Sequence, residues 1–260
     1  PQDADPPQLE LIEAKLSALN NDSTINDKEK LVLKNHFNEA IRFIQNASIS
    51  ETKAAGYDKE LKNALKGIGS WKIKLQQLEE IAKKGEAIAL PKDTSDLQKI
   101  IDAQSDELKE LTQRKSELIE QLALIEKRPL QISTRLSEIQ IRQSELKELL
   151  NQTAAGNSPL QTAQNLEFLS EKYAITTEST MLFTEEKSIS DRQANFEAEL
   201  NYTDQLWDNN SETLKKLRIE QVQINQSEAE KVISFVENFK SSNPDLIEAA
   251  ANLQNLVAED

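Results

Sequence analysis

Apolar residues return along this chain at steps of three and four, the spacing that lines one face of an α-helix. The pattern starts at Leu9, Ile12, Leu16 and Leu19 and stops in the polar run Asn20 to Thr24. Asn26 followed by Glu29 reads as a capping box, in which each side chain satisfies the other residue's backbone amide. It predicts a helix from Asp27 to about Asn46, with Leu33, Phe37, Ile41 and Ile44 on one face. Ser50 is a suitable cap for a third helix running through Leu61, Leu65, Ile68, Leu75, Leu78 and Ile81. Gly67 and Gly69 interrupt it, each at about 1 kcal/mol in a helix interior. They predict a kink or the close approach of a neighbour. Gly85 to Lys92 reads as a loop that Pro91 closes.

The stretch from Ser95 to Asn151 carries the strongest signal. Ser95 and Gln98 form a second capping-box pattern, and Leu97, Ile101, Leu108, Leu111, Leu118, Leu122 and Ile125 alternate by three and four. Gln104 and Lys115 are the polar exceptions. The same phase continues past Pro129 through Ile132, Leu136, Ile139, Leu146 and Leu150. A heptad sustained this long is the signature of helices packed side by side. Pro129 either kinks one helix or opens a new one at its first position. The unbroken phase favours a kink, and Arg128 before proline favours a break. An uninterrupted rod of about 85 Å, at 1.5 Å per residue, would leave much of its seam bare, so a hairpin is expected.

Thr153 to Ser158 is a connector, and Ser158-Pro159 supplies a cap and a first helical residue. The next seam reads Leu166, Leu169, Tyr173, Thr176, Thr180 and Phe183. The phase slips near Lys187 to Asp191, a turn or a stutter, and resumes through Ile189, Phe196, Leu200, Trp207, Leu214, Leu217 and Ile224. Asn243-Pro244 ends this helix and opens a last short one. The expected fold is all-α, an elongated antiparallel bundle of coiled-coil hairpins without β-sheet. Its expected parts are a tail over residues 1–7, a segment of about three helices over 8–90, heptad-bearing helices over 91–242, and a short C-terminal helix over 243–260. Pro1 in place of a methionine fits a mature N-terminus left by signal-peptide removal and fits other starts equally.

Composition narrows the function. The 260 residues hold 45 acidic and 31 basic side chains, a net charge of −14, with one His and no Cys. Disulfides, thiolate metal sites and cysteine nucleophiles are excluded, and multi-His centres with them. The acidic balance argues against nucleic acid and against a basic surface lying on anionic lipid. The longest apolar runs are four residues, against about 20 needed to span a bilayer. Direct membrane insertion by this chain is therefore not expected.

His36, alone on an amphipathic helix, reads as an edge residue. The pairs Glu79-Glu80, Glu185-Glu186 and Glu228/Glu230 read as solvated helix faces. Lys59, Lys62, Lys66, Lys72 and Lys74 read as the rim of an amphipathic helix, or as a contact for an anionic partner. Trp71 and Trp207 stand at seam spacing and are expected in the core. Six Asn-x-Ser/Thr sequons, a number near chance in this composition, are not read as glycosylation sites. No catalytic, cofactor-binding or metal-ligating residue is assigned, and no phosphate loop or nucleophile elbow is present.

Three stretches resemble a known family. Leu122 to Leu150 (LALIEKRPLQISTRLSEIQIRQSELKELL) is similar to the Leu-rich, proline-centred, Gln/Glu-rich stretch of the so-called porin domain. That periplasmic helical domain belongs to large bacterial channels of the small-conductance mechanosensitive superfamily, including the potassium-dependent type. Leu206 to Leu214 (LWDNNSETL) and Gln221 to Asn225 (QVQIN) resemble its later helix, and Leu16 to Ile44 its first helices. The chain departs from the family where a basic pair usually follows; here stand Gln226, Ser227 and Glu228. The resemblance implies an extracytoplasmic domain, in the periplasm and attached to the inner membrane, joined to a membrane channel domain of the same polypeptide. It further implies assembly as a heptamer that opens under tension on osmotic downshift. No cofactor is expected, and an enzyme would need a concave polar pocket that nothing in the sequence suggests. The alternative from another class is a free-standing coiled-coil adaptor or tether that binds partner helices.

Overall fold

The structure is a computed structural model and describes residues 7–84, 94–153 and 158–238, with residues 248 and 252 beyond them. It is all-α: α1 spans Leu9–Asn21, α2 Asp27–Lys84, α3 Thr94–Thr153 and α4 Pro159–Asn238, with no strand among the described residues. The expected N-terminal tail, apart from its last residue, the loop from Gly85 to Lys92 and the segment after Asn243-Pro244, apart from residues 248 and 252, lie outside the described residues.

Two of the expected starts are seen directly. The Glu29 amide donates to Asn26 Oδ1 at 3.0 Å, opening α2. At α4 the Gln161 amide donates to Ser158 Oγ at 3.2 Å, and the Ser158 amide donates back to Gln161 Oε1 at 3.4 Å.

Two expected breaks are absent. Ser50 does not cap a third helix; it is buried inside α2, so two helices stand before Lys84 where three were expected. Pro129 does not turn the chain; it lies inside the continuous α3. Its ring is on the exposed side of the helix, while Ile125 and Ile132 on either side of it are 5% and 0% exposed. An interior proline costs about 3 kcal/mol, and each buried isoleucine contributes about 1.5–3 kcal/mol. Holding both neighbours in the core outweighs the lost backbone bond. The phase slip near Lys187 to Asp191 is likewise passed without a turn, since α4 is unbroken there.

Packing divides the chain into two compact units, Pro1–Gly69 with Gln121–Glu197, and Ser70–Glu120 with Ala198–Asp260. In the first unit, Ile125, Ile132, Ile139 and Leu146 of α3 pack against Ile175, Met181, Leu182 and Ile189 of α4, with Ala54 and Tyr57 of α2 alongside. A neighbouring cluster joins Ile12 and Leu19 of α1, Leu33, Phe37 and Ala40 of α2, and Ala163 of α4. In the second unit, Leu97 and Ile101 of α3 meet Leu214 and Leu217 of α4.

The α3 seam follows its sequence reading: Leu118 and Leu146 are fully buried, and Leu108 and Leu136 are half-buried. The first α4 seam does not. Thr176, Thr180 and Phe183 face water, and Phe183 is 50% exposed. In the first unit α4 packs against both α2 and α3, so it needs two buried faces. It buries Ser170, Ala174 and Ser188 beside its large apolar residues.

Gly67 is a point of close approach. The Asn195 carboxamide of α4 occupies the place a β-carbon on residue 67 would take. Gly56 and Gly69 have open space there instead.

Candidate functional site

The feature that organises the polar residues is a ladder of arginines on α3 facing glutamates on α4. In the first unit Arg128, Arg135 and Arg142 face Glu185, Glu178 and Glu171; in the second, Arg114 faces Glu199. Each step of seven up α3 is matched by a step of seven down α4, so the helices run antiparallel in one register. The rungs in the first unit share one geometry. Nε and Nη2 of each arginine donate to the two carboxylate oxygens, at 2.6 and 2.8 Å for Arg128, 2.8 and 2.9 Å for Arg135, and 2.6 and 2.8 Å for Arg142. The remaining Nη1 turns to the residue three further along α3: Gln131, Glu138 or Glu145.

A planar guanidinium grips one carboxylate with two parallel bonds and keeps a donor for a second acceptor. Four of the chain's seven arginines are placed on these rungs. The glutamates raise the pKa of every rung arginine, chiefly through the hydrogen bonds that its guanidinium donates to the facing carboxylate. The carboxylates differ in burial: the Glu185 side chain is 5% exposed and the Glu178 side chain 27%. Glu185 was expected in solvent with Glu186; it is instead a buried member of the ladder, because Arg128 and Tyr57 satisfy it. Burial first, and the adjoining Glu185 second, push the Tyr57 hydroxyl above its ordinary pKa.

One rung is different. The register sets Gln121 of α3 against Arg192 of α4, and Arg192 turns away to Glu60 of α2 at 3.0 Å, with its guanidinium 5.6 Å from the Tyr57 ring. Other contacts tie α2 to α4 in the first unit: His36 to Glu167, and the Tyr173 hydroxyl to Glu51 at 2.6 Å. His36 thus sits half-buried at the edge of α2, the position expected for it, and is paired there with Glu167.

In the second unit Trp71 and Trp207 are half-buried. The Trp71 ring lies 5.5 Å from that of Tyr202, with Lys74 Nζ 4.1 Å above it. Trp207 Nε1 donates to Thr112 Oγ1 at 3.1 Å. Neither is enclosed as a core residue, because each indole spans the rim between apolar seam and charged surface. Lys59, Lys62, Lys66 and Lys72 are exposed along α2.

A groove of about 480 Å³ runs beside the ladder, bounded by Phe43 and Asn46 of α2 and by Arg135 and Arg142. Its charged walls are already paired with one another, so it presents no free anion or cation site. A second, apolar groove of about 570 Å³ lies where α2 and α4 begin, lined by Ile25, Val32, Leu33 and Pro159. No group of three or more acidic or histidine side chains converges for a metal among the described residues. No helix among them is long and apolar enough to cross a membrane.

The chain matches the mechanosensitive ion channel porin domain over residues 15–253. It belongs to that family. The match extends across the α1/α2 region, the whole of α3 and the whole of α4. No curated protein and no solved structure matches the chain. The porin domain is thus a helical domain associated with a mechanosensitive channel. Sequence reading found its seam but not its ladder. The signal was present, as arginines recurring every seventh residue on α3 and glutamates every seventh residue on α4.

Proposed function

We propose that this porin domain is the periplasmic part of a bacterial mechanosensitive channel of the potassium-dependent type and sets how membrane tension gates it on osmotic downshift. The family match over residues 15–253 carries this reading. In this reading the domain is joined to the membrane channel domain of its own polypeptide, lies outside the inner membrane, and assembles with six further copies around the pore. Its contribution is mechanical. Apolar burial alone resists separation of two helices, whereas a hydrogen-bonded ladder also resists sliding, because every rung must break together. The geometry of Arg128, Arg135 and Arg142 supports a stiff element of that kind.

The test compares the full channel with one lacking residues 15–253 in patch recordings. The expected result is a changed pressure threshold, inactivation or recovery. If all three parameters stay the same, the domain has no part in gating.

A further inference from the structure

Two outward faces of the first unit, one on α2 and one on α3, match each other at the same height along the helices. Contacts through α4 fix that height. Glu60 of α2 holds Arg192 of α4, which the ladder register sets against Gln121 of α3. His36 of α2 holds Glu167 of α4, which the same register sets against Leu146 of α3. A step along α2 is therefore matched by an equal step up α4 and down α3. Between these two markers Thr52 comes level with Leu130.

The outer face of α2 at this height is Ser48, Ile49, Thr52 and Ala55, and that of α3 is Leu130, Thr134 and Ser137. All seven are exposed, Ile49 by 53% and Leu130 by 74%, and none is charged, in a chain where 29% of residues are. The hydroxyls of Thr52, Thr134 and Ser137 donate to the carbonyls of Ser48, Leu130 and Ser133 on their own helices. Their polarity is spent internally, and both stripes present mostly carbon. Single exposed apolar residues need no explanation. Two uncharged stripes with helix-seam spacing, level with each other on the two helices that pack against α4, do.

We propose that the outer face of α2 in one copy docks on the outer face of α3 in the next copy, head to tail around a ring. The inference rests on the seven-copy assembly proposed above and names the surfaces that make it. A contact between two different faces is heterologous, and it forms a ring when the rotation closes. Rotation about an axis lying along the helices moves no residue up or down, so faces at one height can meet. It also keeps α2 antiparallel to α3 between copies, as within one. Next to the stripes stand Asp58 and Lys59 on α2, and Glu126 and Lys127 on α3. All four are exposed, and none has an ion-pair partner among the described residues. Across the contact Lys59 is within one turn of Glu126, and Asp58 within one turn of Lys127. Chains of charge −14 repel each other over most of their surfaces. Uncharged stripes bordered by opposite charges are where that repulsion is least.

This chain has no cysteine, so a pair placed on the two faces reports the contact. In the full channel, Thr52→Cys combined with Leu130→Cys is expected to give, on mild oxidation, a ladder of linked chains ending at seven. Either substitution alone is expected to give none, since neither face meets itself. Lys59→Glu added to the pair is expected to slow linking about threefold to tenfold, and Glu126→Lys added to that variant to restore it. The mass of the solubilised channel is measured in parallel, and an unchanged copy number shows that each variant has folded. A seven-copy particle without a ladder overturns this contact and leaves the seven-copy reading standing. A ladder ending at another number supports the contact and overturns that reading, and a particle of one copy overturns both. A linked dimer from either single variant, or linking indifferent to Lys59→Glu, also overturns the contact.

Discussion

Replacing Glu185 by glutamine removes one charge from the most buried rung and leaves its shape in place. The lost interactions are two charge-assisted bonds from Arg128, at 2.6 and 2.8 Å, and part of the contact with Tyr57. Stranding one member of a buried ion pair costs about 3–5 kcal/mol. The Arg128 side chain is 35% exposed, so water recovers part of that cost, and glutamine still accepts one bond. A loss of about 2–3 kcal/mol is expected. Glu178→Gln makes the same chemical change on a rung of nearly the same geometry, 2.8 and 2.9 Å, but the side chains there are 27% and 45% exposed. Its expected loss is about 0.5–1 kcal/mol.

The contrast isolates burial from geometry. Urea unfolding followed by far-UV circular dichroism measures both losses, at low salt and again at high salt. Screening is expected to erase most of the Glu178→Gln effect and little of the Glu185→Gln effect. Equal losses at the two rungs, or equal sensitivity to salt, would falsify the view that burial sets the strength of each rung.

Pro129→Ala is expected to stabilise the chain by about 1–3 kcal/mol in the same assay, since it restores a backbone bond in the middle of a continuous helix. A loss of stability would instead indicate a helix start at Pro129, where proline is favourable. Gly56→Ala and Gly69→Ala are expected to gain about 0.5–1 kcal/mol each, having open space at the new methyl. Gly67→Ala is expected to lose about 1 kcal/mol, because the Asn195 carboxamide must leave its place. An equal gain at all three glycines would show that α4 does not approach α2 there.

How much of this was legible in the sequence depended on how many faces a helix buries. The α3 seam could be followed from Leu97 to Leu146 because α3 buries one stripe, of large aliphatic residues. In α4 the buried set includes Ser170, Ala174, Glu185 and Ser188, and a search for large apolar residues settles on Thr176, Thr180 and Phe183, which face water. Ser50 misled for a local reason: a serine has the side chain of a cap, but whether a helix stops is decided by packing, and here Ala47 and Ser50 are both buried within α2. Pro129 misled in the same way, its local cost being outweighed by Ile125 and Ile132. The ladder is a property of two segments together. Neither the arginines nor the glutamates mean much until one series is read forward and the other backward.

The broken rung makes that pairing unique. A seam of Leu and Ile repeating every seven residues buries nearly the same area after a slip of one heptad, and a perfect ladder would slip with it. The interruption at Gln121 and Arg192 forbids this. Sliding α4 one heptad in one direction sets Arg114 against Arg192 and Arg142 against Gln164; sliding it in the other sets Arg128 against Arg192 and Arg114 against Leu206. Either slip brings two guanidiniums together and strands another, a penalty that the apolar seam cannot repay. In the observed register Arg192 has Glu60 of α2 as its partner, so the residue that excludes wrong pairings of α3 with α4 also fastens α2 in place.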